Sequence, residues 1–199
     1  MIKNIINSLL LVVVLGVSSC NDQLADELFE KRTYLIENGW KDYQLEVDDD
    51  NTAILPVYFG INGTSLNDKD ITLTLDVDPD TLERYNWEKY KNQKELYLKL
   101  LPEESYTFDA SSWTIPSGEL NTSAYIKISL DKIKEVGSLY NDYVLPLRIN
   151  SSVGEPIGRS KYTKVLAHIA FKNDFSGQYT GKGVIKQIGT SFTTDTTAN

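Results

Sequence analysis

Short runs of alternating apolar and polar residues constrain this chain more than any other feature, because successive side chains of an extended strand point to opposite faces. Tyr43, Leu45 and Val47 alternate with polar neighbours, and Ile71, Leu73, Leu75 and Val77 do the same. Further strand-like runs are Ala53 to Ile61, Leu96 to Leu100, Tyr106 to Phe108, Tyr125 to Leu130, Tyr143 to Ile149 and Lys164 to Phe171. Turn residues divide them at Asn62-Gly63, Asn67-Asp68, Pro116-Ser117-Gly118 and Ser152 to Gly158. The pattern predicts an all-β, two-sheet β-sandwich of about seven to eight strands with short helical turns.

Two interruptions read as those turns. Asp78 is placed to cap a turn that starts at Pro79, with Leu82, Tyr85 and Lys89 following at helical spacing up to Tyr90. Asp131 is placed to cap Lys132 to Val136, which Gly137 ends. Pro56 and Pro146 lie inside strand-like runs, and a proline has no N–H to give a ladder. Their strands are therefore expected at sheet edges or to carry bulges there. From Ser176 the chain is rich in glycine and then in small polar residues, which predicts one strand, Gly183 to Ile188, without a hairpin partner, and then disorder.

The N-terminus carries a different message. Lys3 gives a positive start, Leu9 to Val17 a short apolar stretch, and Val17-Ser18-Ser19-Cys20 a small-residue box ending in the only cysteine. A span needs roughly 20 apolar residues, so this run is too short to cross a bilayer and reads as a cleavable leader. The box resembles the bacterial lipoprotein signal, which implies acylation of Cys20 and a mature chain anchored by its N-terminal lipid. The chain then divides into a signal peptide over 1–19, an acidic tether over 20–32, the sandwich over 33–172 and a flexible tail over 173–199. Asp22, Asp26, Glu27 and Glu30 colour the tether. They resemble the acidic stretch that sends some Bacteroidota lipoproteins to the outer face of the outer membrane, and a solvated spacer would look the same.

With one cysteine there is no internal disulfide, so stability must come from an apolar core. A formal net charge of −8 repels polyanions and disfavours nucleic acid as a partner.

A family resemblance rests on several motifs in order: Tyr85-Asn86, then Leu101-Pro102 with Tyr106, then Thr114-Ile115-Pro116-Ser117-Gly118, then Tyr143-Val144-Leu145-Pro146-Leu147-Arg148-Ile149-Asn150-Ser151. Together they resemble the N-terminal Ig-like sandwich domain of unknown function carried by Bacteroidota surface lipoproteins, over about Thr33 to Phe171. The resemblance implies that such a domain often precedes a lectin-like or glycan-binding domain, or a chitinase-like endoglycosidase. Phe175-Ser176-Gly177-Gln178-Tyr179 resembles the opening of a second domain, and the sequence ends about twenty residues later, either naturally short or truncated.

No catalytic constellation emerges. Counted from Asp76, the sixth and twelfth positions of a calcium loop hold Thr81 and Trp87 where glycine and glutamate belong. The acid motif of chitinase-like enzymes also fails, since Leu82 stands where the proton-donating glutamate should be. Asp48-Asp49-Asp50-Asn51 reads as a charged hairpin tip rather than a calcium ligand set. His168 is the single histidine, too few for a zinc site, and with no second histidine or free cysteine it reads as structural or solvent-facing. Neither a G-x-S-x-G elbow nor a phosphate-binding glycine loop occurs. No cofactor is expected, and the chain reads as a non-enzyme.

What remains is binding. Twelve tyrosines and three tryptophans supply flat apolar faces with polar edges, suited to stacking on sugar rings. Tyr85, Trp87 and Trp113 are the candidate glycan-binding residues, whereas Trp40 reads as a structural staple. Three functions compete: a surface module for glycan binding or uptake, a protein-interaction or spacer domain that touches no sugar, and the remnant N-terminal domain of a larger endoglycosidase. The lipid reading is the most directly testable. Radioactive palmitate fed to cells should label the wild-type chain, and sequencing should place its mature N-terminus at Cys20. An unlabelled chain, or an N-terminus elsewhere, overturns the anchor.

Overall fold

The computed structural model describes residues 29–139 and 141–172, together with the backbone of 181–186 and 193–198; Cys20 and the acidic tether residues Asp22, Asp26 and Glu27 lie outside these. The strands are β1 (Arg32–Leu35), β2 (Gly39–Glu46), β3 (Thr52–Asn62), β4 (Ile71–Val77), β5 (Lys99–Leu100), β6 (Tyr106–Phe108), β7 (Trp113–Ile115), β8 (Asn121–Ser129), β9 (Tyr143–Val153), β10 (Lys164–Lys172), β11 (Gly181–Lys186) and β12 (Thr193–Ala198). Helix α1 (Pro79–Tyr90) follows β4, and α2 (Leu130–Val136) follows β8. One sheet has the order β1-β3-β8-β6, and the other the order β2-β10-β9-β4-β7, with β5 added on β9. Pairing is antiparallel except for β2 on β10 and β5 on β9.

Alternation produces the core directly. Leu55, Val57, Phe59 and Ile61 of β3 and Ala124, Ile126 and Ile128 of β8 turn inward, while Ile54, Tyr58 and Tyr125 stay half-exposed on the outer face. They meet Ile71 and Leu73 of β4 and Leu145, Leu147 and Ile149 of β9 from the other sheet. Each such side chain contributes on the order of 1.5–3 kcal/mol by leaving water.

Strand β9 departs from the alternating rule. Tyr143 to Leu147 is buried at every position, because inward residues face the core and outward Val144 packs under α1. Leu82 of α1, Leu98, Val144 and Leu166 form this second, smaller cluster, bordered by Trp40, Tyr85 and Tyr90. A strand covered on both faces reads as a continuous apolar run, which is what the sequence shows there.

The prolines divide. Pro56 pairs with Tyr125, whose N–H and C=O are engaged on the far side by Asp109; β3 lies inside its sheet without a bulge, but β1 covers only Phe59 to Asn62, so the absent N–H of Pro56 points to a local edge. Pro146 corrects the expectation. Its strand lies inside the sheet, flanked by β10 on one side and by β4 and β5 on the other, and the only register shift between β4 and β9 falls elsewhere, between Thr74 and Leu75. Pro146 sits at the seam where β4 has ended at Val77 and β5 has not begun; its carbonyl accepts from Asp78 N–H at 2.9 Å, and its missing donor would face the seam. A central strand tolerates proline where a neighbour changes over.

Several local expectations are also corrected. The first helix runs three full turns, and the Asp78 carboxylate makes no bond to its backbone N–H groups. Ser129, not Asp131, caps α2, its Oγ accepting from Lys132 N–H at 3.4 Å, while Asp131 lies inside the first turn and pairs with Lys134. The strand expected over Leu96–Leu100 shortens to Lys99–Leu100 after a 3-10 turn at Lys94–Leu96. Counting β5, ten strands build the two sheets rather than seven to eight, since β1 and β7 are too short to show an alternating run. Finally, β11 does have a hairpin partner: it pairs in antiparallel register with β12, a stretch rich in β-branched threonine where disorder was expected.

Phe59 is fully buried and meets Trp113 at 5.6 Å between ring centroids. Phe59→Ala should cost about 3–5 kcal/mol in urea unfolding, whereas Ile54→Ala on the outer face of the same strand should cost less than about 1 kcal/mol. Equal losses at the two positions would contradict the assigned faces.

Candidate functional site

Helix α1 organises the outer face of the six-stranded sheet, and two sets of hydrogen bonds anchor it. Its N-terminus is tied to β10 because Asp78 Oδ2 accepts from Lys164 Nζ at 2.6 Å and from the Thr81 hydroxyl at 2.7 Å. Lys164 Nζ also donates to Thr81 Oγ1 at 2.9 Å, which closes a triangle. Burial works to raise the Asp78 carboxyl, but the ammonium and hydroxyl donors outweigh it and hold the group below the usual carboxylate range. In mid-helix, buried Asn86 donates to the Leu98 carbonyl at 2.9 Å and accepts from the Leu98 N–H at 3.0 Å. That two-way bond straps the 94–100 segment alongside the helix, and it gives Tyr85-Asn86 a structural meaning.

Between α1 and the strapped segment lies an open groove of about 630 Å³. Leu82, Glu83 and Trp87 line it from the helix, and Lys94, Tyr97 and Leu100 from the segment. Trp87 is 52% exposed, and Leu100 is 41% exposed. The Tyr97 hydroxyl donates to the Lys91 carbonyl at 2.7 Å, which fixes its ring at the rim. A large indole face bordered by a carboxylate, an ammonium and a phenol is a surface that can stack on a ring and bind hydroxyls at its edge.

On the other side of α1 the aromatic side chains are engaged with one another. Trp40 of β2 stacks on Tyr85 at 4.9 Å and 10° and on His168 at 5.1 Å and 25°. Lys89 Nζ stands 5.3 Å from both the Trp40 and Tyr85 rings and donates to the Tyr85 hydroxyl at 3.1 Å. Asp42 accepts from the Trp40 indole N–H at 3.2 Å and lies 2.7 Å from His168 Nδ1; its carboxyl is held below the ordinary range chiefly by the His168 bond. Asp142 is 3.9 Å from His168 Nε2. This is a histidine between two carboxylates, and among the described residues no serine or threonine hydroxyl bonds its ring. Trp40 is thus the staple expected, joining β2, β10 and α1.

The three aromatic candidates therefore do not converge. Tyr85 and Trp87 are two positions apart on a helix and point to opposite sides. Tyr85 is spent in the Trp40 stack, and Trp87 faces the groove. Trp113 corrects the sequence reading: it is 7% exposed, lies between Phe59 and Phe108, and donates its indole N–H to Asp109 at 2.9 Å. A ring packed in the core offers no face to a ligand. Sequence reasoning missed Lys94 and Tyr97, which reach the groove only because Asn86 binds a backbone twelve residues away. The acidic tip at Asp48 to Asn51 closes on itself, Asp48 accepting from Thr52 N–H at 2.7 Å and from its hydroxyl at 2.6 Å. Among the described residues no cluster of histidine, cysteine and carboxylate side chains has metal-binding geometry.

A two-sheet sandwich with an outer helix defines the class: an all-β domain of the kind found in larger Bacteroides proteins. A family model for an N-terminal domain matches residues 29–156, and a model for a C-terminal domain matches 163–199. The chain belongs to the family of that N-terminal domain, the Ig-like sandwich that the Tyr143 to Ser151 run resembles. A Bacteroides ovatus protein of unknown function aligns at TM-score 0.66 and 22% identity over 85% of this chain and 56% of that one. An auxiliary nutrient binding protein of Bacteroides thetaiotaomicron aligns at 0.60 and 21% over 79% of this chain and 55% of its own. A candidate carbohydrate binding protein of Bacteroides ovatus aligns at 0.54 and 18% over 80% of this chain and 43% of its own. At such identities the likeness concerns the fold, and the chain spans little more than half the length of the first two. No curated protein matches it.

The Asp78 triangle yields a pH-dependent prediction. A carboxylate whose folded pKa is depressed adds stability above its unfolded pKa, and the gain disappears as pH falls through the folded value. Asp78→Asn should cost about 1–3 kcal/mol near neutrality, and the gap to wild type should close below about pH 4. Urea unfolding of both proteins across that range measures it; a gap that stays constant in acid would show that the charge is not the source.

Proposed function

We propose that this protein is a non-catalytic, lipid-anchored module of the outer membrane that holds a glycan at the cell surface, with the α1 groove as its contact face. The observation that carries the reading is Trp87, an indole left half-exposed over a groove while the other two tryptophans are engaged in stacking or in the core. Leaving so large an apolar face in water is unfavourable by the same area rule that stabilises the core, and a sugar ring would cover it. Glu83 and Lys94 supply an acceptor and a donor for hydroxyls, and Tyr97 supplies a second ring. The nutrient-binding and carbohydrate-binding descriptions of two structural neighbours support a binding role, and the leader that precedes Cys20 supports the anchor.

A groove open along one side suits part of a chain better than an enclosed monosaccharide, so oligosaccharides should bind more tightly than their single units. Surface stacking on one indole gives modest affinity, and its loss typically removes about 1–3 kcal/mol, or roughly fivefold to 150-fold. A glycan array probed with the full chain should show binding that Trp87→Ala abolishes and Trp87→Phe partly retains, with unchanged circular dichroism in both. Binding that survives Trp87→Ala moves the site elsewhere. An array without signal, alongside specific capture of a surface protein, favours the spacer reading.

A further inference from the structure

A second pocket, of about 450 Å³, lies at the opposite sheet's β1 edge and shares no residue with the α1 groove. Arg32 and Tyr34 come from β1, Asn38 from the turn after it, Asn62 from the end of β3, and Arg159 and Tyr162 from the connection between β9 and β10. Among the described residues no carboxylate lines it, although the chain has 28 acidic and 20 basic residues. The wall is rigid. Thr33 N–H donates to the Pro156 carbonyl at 3.0 Å and Gly158 N–H to the Thr33 carbonyl at 2.8 Å, so the connection lies against β1 like an added strand. Glycine is needed at Gly158, where a Cβ would stand 2.8 Å from the Thr33 carbonyl oxygen, and Gly60 leaves room for the Tyr34 ring, which lies 2.8 Å from where its Cβ would be. The Tyr34 ring is thereby seated on β3 and the Arg159 segment on β1.

Of the two guanidinium groups in this pocket, one is engaged and, among the described residues, the other is not. Arg32 Nη1 donates to the Ile157 carbonyl at 3.3 Å and its other nitrogen pairs with exposed Glu30, which orients that guanidinium. The Arg159 guanidinium, the Tyr34 and Tyr162 hydroxyls and the Asn62 amide have no bonded side-chain partner among the described residues. Tyr162 is 41% exposed, with Lys161 Nζ 4.6 Å from its ring centroid. A guanidinium fork matches the paired oxygens of a carboxylate or sulfate, phenol rings stack on sugar rings, and an amide binds hydroxyls.

We infer that this pocket binds a pyranose bearing an oxyanion, a carboxylate or a sulfate ester, with Arg159 on the charge and the two tyrosines on the ring. The site is independent of the Trp87 groove, so either can fail alone. The net negative chain repels acidic glycans in general, and a local basic pocket makes their capture selective rather than diffuse.

Calorimetric titration of the full chain tests this with four probes: trigalacturonate, its methyl ester, a κ-carrageenan tetrasaccharide and inorganic sulfate. At least one acidic oligosaccharide should bind, weaken with added salt, and weaken about tenfold or more in Arg159→Gln, the factor expected for losing a charged bidentate contact. Trp87→Ala should leave that binding unchanged. Which acidic oligosaccharide binds identifies the oxyanion. Failure of both, equal binding of the methyl ester, sulfate binding as tightly as the oligosaccharides, or indifference to Arg159→Gln would each overturn the inference.

Discussion

The requirement that β9 bury both of its faces organises the structure around the groove. One face of Tyr143 to Leu147 closes the inter-sheet core, and the other would meet water were α1 not folded across it. The chain meets this by ending β4 at Val77, running α1 over the outer face, and returning as β5 to continue the same edge of β9. The seam created by that excursion is where Pro146 fits without losing a bond it could otherwise make. Packing, backbone chemistry and the placement of α1 are one solution, and the groove is its by-product. A helix laid across a sheet and a segment strapped to it leave a furrow between them.

Much of this fold was legible in the sequence, because half-buried antiparallel strands alternate and β3, β4 and β8 are long enough to show it. What stayed hidden is instructive. A three- or four-residue strand such as β1 or β7 carries no period, and its existence is decided by its neighbours. The two aspartates expected to cap helices fail for different reasons: Asp78 stands before its helix but its carboxylate goes to the Lys164 ammonium 86 residues away, and Asp131 lies inside a helix that begins one residue earlier, with Ser129 at its cap. At Asp78 the ammonium within reach wins over the helix N–H groups.

The candidate site was legible only in part, and for a related reason. Aromatic residues are easily found in a sequence, but three tryptophans met three different fates: core, stack and surface. Trp113 begins a strand whose inner face is not evident from three residues, and so looked like a loop residue. The groove's second wall depends on the Asn86 bond to a backbone, which no pattern announces. The basic pocket is still less visible, since its arginines are 127 positions apart and each is ordinary in its own context.

The position of β10 bears on how such a chain comes to be folded at all. It lies between β2 and β9, in register with Gly39 to Glu46 on one side and with Tyr143 to Arg148 on the other, so the six-stranded layer is split until Lys172 is available. A polypeptide emerging N-terminus first can pair β3 with β8 early, yet cannot join β2 to anything in its own sheet. The last strand in is the keystone, and a barrier crossed residue by residue would meet an incomplete arch until the closing piece had passed.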